Sequence, residues 1–214
     1  MKETNSNFNK FMKLFWVFII GCVIGYIVEM IVGLVQNGHF VSRQGLVWGP
    51  FAQVYGIGLV VYYIIVPKIK GGYWKIFFVT MLLGGIVEYL CSYFQEIFFG
   101  TISWDYSNLW FNINGRTSLL HCTYWGIGGI MFMKWIYPML NNINKMLKNT
   151  YFRYITIIFV IFMVFNISVS ILAANRQEDR KDNIIASSNI DKFLDKYYPD
   201  SVMDVIYENK KEVK

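Results

Sequence analysis

The sequence predicts an all-α, polytopic membrane protein: a bundle of five transmembrane helices, the first four arranged as a tandem repeat of a two-helix unit. Three observations carry this. Of its 214 residues, 55% are hydrophobic and only 16% charged, more apolar than an ordinary soluble domain. The apolar residues fall in runs near the roughly 20 residues that cross a bilayer, and lysines gather at alternate connections between them. Gly-x-Ile-Val-Glu occurs twice, at 25–29 and 84–88, each time inside such a run.

Residues 1–10 are polar and are expected to form an unstructured cytoplasmic segment. The first span covers 11–35. Lys10 and Lys13 precede it as in a secretory signal, but the run is too long for one and lacks a small-x-small cleavage site. Gly21, Gly25, Glu29 and Gly33 follow at four-residue steps and share one helix face. Glycines alone would make a packing seam. Glu29 exceeds that need, because a carboxylate inside a bilayer is costly and usually faces protein or water at a functional position.

The loop 36–48 carries His39 and Arg43 and ends in Gly49-Pro50-Phe51, which opens the second, slightly short span at 51–66. Proline suits a first helical turn, where its missing N–H has no partner to lose. Gln53, Tyr55 and Gly56 lie just inside that helix, and Pro67 ends it. In the third span, 74–98, Gly84, Glu88, Ser92 and Glu96 again share a face, with Glu96 near enough to the outer end to reach water.

The long outer loop 99–118 holds Trp104, Asp105, Tyr106 and Ser107, then Asn114-Gly115-Arg116. Asp105 and Arg116 are its two charges and would pair. Asn-Gly is a tight-turn dipeptide. The fourth span, 119–137, passes His121, Trp125 and Gly126. His121 and His39 lack the further ligands a tight metal site converges, so neither metal nor cofactor is expected. The connector 139–153 places Leu140, Ile143 and Leu147 on one face among lysines, the pattern of an interfacial amphipathic helix. The fifth span, 154–174, is apolar apart from Asn166, Ser168 and Ser170 and reads as a peripheral anchor. The tail 175–214 holds eight Lys/Arg and nine Asp/Glu and reads as a solvated appendage with a short amphipathic helix around Ile190–Tyr197, capped at Asn189.

Charge sets the orientation. Lys2, Lys10, Lys13, Lys68, Lys70, Lys75, Lys145, Lys148 and Arg153 lie on one side, and only Arg43 and Arg116 in the loops of the other. The positive-inside rule then puts the N-terminus in the cytoplasm of a plasma-membrane protein and the tail outside. The net charge of +6 is spread over membrane boundaries, which excludes a nucleic-acid face. Cys22, Cys91 and Cys122 occupy separate spans without Cys-x-x-Cys spacing and suit core packing.

The repeat extends beyond the glutamates. Arg-x-x-Leu recurs at 43–46 and 116–119, and an aromatic followed by Gly-Ile-Gly recurs at 55–58 and 125–128, in the same order. Two spans per unit give both copies one orientation, about an axis along the membrane normal. Glu29 with Arg43, and Glu88 with Arg116, then become matched ligand-binding or ion-coupling candidates beside Asp105. Gly25, Gly84, Tyr55, Trp104, Tyr106 and Asn114 support them.

Arg43-x-Gly45-x-x-x-Gly49-Pro50-Phe51 with Tyr55-Gly56, then Trp104-Asp105-Tyr106-Ser107, then Asn114-Gly115-Arg116 before Trp125-Gly126, resemble the bacterial family named Putative ABC-transporter type IV, the CmpB-like membrane proteins. The resemblance covers residues 21–138. Members often carry a proline shortly before the Tyr-Gly pair, where this chain has Ala52-Gln53-Val54. The resemblance implies a transporter component. No G-x-x-x-x-G-K-[ST] is present, so an ATPase would be a separate chain. Transport of a small polar or lipid-headgroup ligand ranks first. An embedded enzyme on a lipid-linked substrate ranks second, using paired carboxylates without an identifiable nucleophile motif, and a structural or regulatory scaffold third. The expected partners are membrane lipids, an ATPase or other membrane protein, and a second copy of the chain.

Overall fold

A computed structural model describes residues 2–140 and 142–213. It is nearly all helical, and three of its helices are long and apolar enough to cross a membrane. The first, α1 (Lys2–Asn37), contains no proline and is helical from Lys2, through the polar segment expected to be unstructured. It stops at Gly38, whose left-handed φ of 74° turns its N–H onto the Leu34 carbonyl at 2.9 Å. Next, α2 (Gln53–Ile65) closes in a 3₁₀ turn, Val66–Lys68, around Pro67. The second long helix, α3 (Tyr73–Phe99), ends at left-handed Gly100.

A run from 119 to 140 follows: α4 (Leu119–Met131), a π-helical turn Phe132–Ile136 and α5 (Tyr137–Leu140) without interruption. At 1.5 Å per residue this run is about as long as the hydrocarbon core is thick. Helix α1 packs along α2, and α3 along α4. Toward their lysine-rich ends Met12, Val17, Tyr62, Val66, Ile76 and Phe132 form one buried cluster. The Tyr62 hydroxyl sits between the carbonyls of Thr80 (3.0 Å) and Trp125 (2.9 Å), tying three helices together without leaving a buried donor idle.

The connector corrects the expectation of an interfacial helix. Only one turn forms, α6 (Ile143–Met146), and Leu140, Ile143 and Leu147 turn inward onto the cluster around Met12. Burial against protein leaves that apolar face nothing to offer a headgroup region.

The third long helix, α7 (Thr150–Lys181), starts at Asn149, whose side chain accepts from the Tyr151 and Phe152 N–H groups. It packs on α1 through Phe159 against Phe15 and Trp16, and Trp16 Nε1 donates to Thr156 Oγ1 at 2.9 Å. Two of its interior polar residues, Asn166 and Ser170, are clamps. Asn166 Nδ2 donates to the Trp48 carbonyl at 2.7 Å, and Ser170 Oγ accepts from the Val47 N–H at 2.9 Å. A helix read as a peripheral anchor therefore holds the loop between α1 and α2 in place.

The tail is likewise no solvated appendage. Helix α8 (Asn189–Tyr197) is capped by Ser188, one residue before the expected cap, in a reciprocal box with Asp191. It leads into α9 (Asp200–Ile206), and Leu194, Tyr198 and Met203 are buried against Val47, Val169 and Ala173. Four short strands complete the end opposite the lysine-rich one. Strand β1 (Thr101–Ile102) pairs antiparallel with β4 (Lys211–Glu212), and β2 (Asn112–Ile113) with β3 (Thr117–Ser118). The second pair turns at Asn114 and Gly115, both with positive φ, as a tight hairpin requires. Arg176 and Arg180 both donate to Asp195, bracing the tail on the end of α7.

Candidate functional site

Glu29 projects from α1 toward α2, where its carboxylate accepts a hydrogen bond from the Tyr55 hydroxyl. The helices approach closely because Gly25 lies beneath the Tyr55 ring, where an added Cβ would overlap ring atoms. Arg43 comes from the loop between them, with Nε 3.9 Å from the Glu29 carboxylate. That separation makes an ion pair but no hydrogen bond, and Arg43 Nε is buried without a hydrogen-bond partner. The loop owes its shape to Gly45, whose N–H donates to the Phe51 carbonyl at 2.9 Å and whose own carbonyl accepts from Gln53 Nε2 at 2.8 Å. A side chain at Gly45 would strike the Gln53 amide.

Glu88 on α3 is 6% exposed and is held by hydroxyls instead of an arginine. Thr117 Oγ1 donates to one carboxylate oxygen at 2.7 Å and Tyr106 to the other at 3.1 Å. Burial, then the nearby charge of Glu88, pushes the Tyr106 hydroxyl well above its ordinary pKa, so it stays a donor. The Tyr106 ring stacks on His121 at 3.7 Å, and His121 Nδ1 is 2.9 Å from the Ser118 hydroxyl. Gly84 lies beneath Trp125 as Gly25 lies beneath Tyr55, and the two aromatic rings stack at 5.3 Å.

The second charged set differs from the expected one. Arg116 pairs with Glu96, one face-step beyond Ser92, and its guanidinium lies over the Tyr89 and Tyr93 rings at 5.5 and 5.3 Å. Asp105 does not meet Arg116. Its carboxylate is taken by the Ser107 N–H (2.9 Å) and hydroxyl (2.5 Å), which hold it below the usual carboxylate range. Trp104 Nε1 donates to the Arg116 carbonyl at 2.8 Å, and Asn114 Nδ2 to the Tyr89 hydroxyl at 3.1 Å. Glu96, Trp104, Asp105, Ser107, Asn114 and Arg116 border a cavity of about 230 Å³.

A larger cavity of about 790 Å³ gathers the rest. Glu29, Arg43, Tyr55, Glu88, Tyr106 and Trp125 all line it, as do Trp104 and Asp105. Its lining also includes Tyr207, Asn209 and Lys210 from the tail, none of which any motif suggested. Thr117 carried no signal beyond following Arg116, and Glu96 read as a solvated surface acid. Among the described residues no cluster of His, Cys, Asp and Glu is placed to hold a metal, and His39 and His121 each find separate local partners.

A family model described as Putative ABC-transporter type IV matches residues 16–171, well over half of the chain. No curated protein and no solved structure matches it.

Proposed function

The chain belongs to the Putative ABC-transporter type IV family, and from that premise we propose that it is a transport component of the plasma membrane that holds its ligand in the 790 Å³ cavity. The observation that carries this reading is the convergence of Glu29, Arg43 and Glu88, from two helices and a loop, on one chamber of ligand size. Its ligand is a small polar molecule or a lipid headgroup.

The chain crosses the membrane five times in this reading. Helices α1, α2, α3 and the 119–140 run form two tandem units, and α7 adds a fifth wall. Support for the repeat comes from matched positions. Gly25 and Gly84 each lie under the aromatic residue of the partner helix that opens an aromatic-Gly-Ile-Gly sequence. The lysine-rich ends face the cytoplasm, so the chamber and tail face outward. Any nucleotide-driven step uses a separate ATPase, docked at the connector 139–153.

The test is purification from native membranes in mild detergent, with mass spectrometry of every co-purifying molecule. A bound small molecule or lipid that disappears in Arg43→Ala and Glu88→Gln, with folding intact, is the expected result. An empty protein, or a ligand indifferent to both substitutions, would remove the reading. A stoichiometric ATPase in the same sample would identify the energy source.

A further inference from the structure

The cavity is not enclosed by polar groups on all sides. Phe94 and Phe98 from α3 and Ile167 and Ile171 from α7 also line it, and all four belong to helices long and apolar enough to span the membrane. Each remains open, at 49%, 68%, 36% and 41% exposure. They lie about one and a half to three turns beyond Glu88 on α3 and at the matching outer half of α7. Among the described residues no hydrogen bond, ion pair or ring contact joins α3 to α7; α7 is held by α1, the loop before α2 and the tail. An apolar gap between two spans, leading to a charged chamber, has the shape of an amphiphile.

The charged end has its own preference. Arg43 makes no hydrogen bond among the described residues, and its buried Nε has only the 3.9 Å ion pair with Glu29. A guanidinium in that state suits a phosphate, which accepts two parallel N–H bonds. Four carboxylates, Glu29, Glu88, Asp105 and Glu178, line the same chamber against two cations, Arg43 and Lys210, so a purely anionic head would meet more negative than positive charge there. A protonated amine next to the phosphate resolves this.

We propose that the ligand is an aminophospholipid of the outer leaflet, which enters sideways between α3 and α7. Its phosphate sits at Arg43, its amine faces Glu29 and Glu88, and its acyl chains stay in the gap lined by Phe94, Phe98, Ile167 and Ile171. This rests on the cavity being the ligand site and adds the ligand's class and its route.

The full chain, in nanodiscs of equimolar phosphatidylethanolamine and phosphatidylglycerol, is released and its bound lipid counted by native mass spectrometry. Glycerophosphoethanolamine, the same head without chains, is titrated separately. Phosphatidylethanolamine should be recovered about tenfold over phosphatidylglycerol and bind about tenfold more tightly than the soluble head. Ile171→Trp should abolish the lipid's advantage over the soluble head. Arg43→Ala should lose both ligands, and Arg43→Lys, which keeps the charge without the fork, should weaken both. Equal recovery of the two lipids, or an Ile171→Trp variant that still favours the lipid, overturns the proposal. Soluble-head binding that depends on Arg43 without lipid enrichment leaves the cavity as the ligand site and removes only the lipid. Failure of both probes removes both readings.

Discussion

Tyr55 stacks on Trp125 with ring centroids 5.3 Å apart and planes 29° from parallel. One ring belongs to α2 and the other to α4, and each is seated on a glycine of the helix packed beside it. The stack sits between Glu29 and Glu88, so helix spacing and carboxylate placement are set by the same two aromatic residues.

Substituting those glycines should therefore be costly. Gly25→Val and Gly84→Val each force a side chain into a ring and should destabilise by about 1–3 kcal/mol or more. In detergent this is a fall of roughly 2–4 °C in Tm per kcal/mol. Gly128→Ala, where an added Cβ meets nothing within 4 Å, should leave Tm unchanged or raise it.

Tyr55→Phe removes the hydroxyl that reaches Glu29. Stranding a part-buried carboxylate costs about 1–3 kcal/mol. A double-mutant cycle with Glu29→Gln should show positive coupling between the two sites, and additive losses in thermal unfolding would contradict the bond.

Arg116 should couple to Glu96 and not to Asp105. Arg116→Ala removes an ion pair and two ring contacts together, and Arg116→Lys restores charge without the planar stacking. Measured cycles should give a coupling of about 0.5–3 kcal/mol with Glu96→Gln and close to none with Asp105→Asn.

The docked tail should loosen in acid. The backbone N–H and then the hydroxyl of Ser188 hold Asp191 down to about 2 from an ordinary 3.8, and hydrogen bonds from Arg176 and Arg180 lower Asp195. Folded-state values below unfolded ones mean that the stabilisation is complete above about pH 4 and is lost as pH falls through the folded values. Hydrogen exchange over 186–206 should accelerate between about pH 4 and 2. Asp191→Asn should already exchange faster at pH 6 and show a flatter response to acid.

Orientation is testable by labelling. In cells, an impermeant thiol reagent should reach Ser187→Cys in the tail and miss Lys148→Cys in the connector. The reverse pattern would invert the proposed topology and turn the cavity toward the cytoplasm.

What this sequence determines by itself is local. Apolar runs long enough to span, a carboxylate inside two of them, glycines at four-residue steps and lysines at alternate ends each depend on composition and helical period alone. The family motifs were legible for the same reason, since they are short and contiguous. Tertiary structure decided which groups meet. Arg116 chose Glu96 over Asp105 because α3 brings Glu96 to the hairpin while Ser107, two residues away, satisfies Asp105 first. Val47 meets Ser170, Ser42 meets Glu208 and Asn209 meets Ser103 across more than a hundred residues of chain. No periodicity encodes such contacts. They follow from how α7 lies on α1 and carries the tail back over the end opposite the lysines, where the tail's polar groups find partners that only the assembled bundle places within reach.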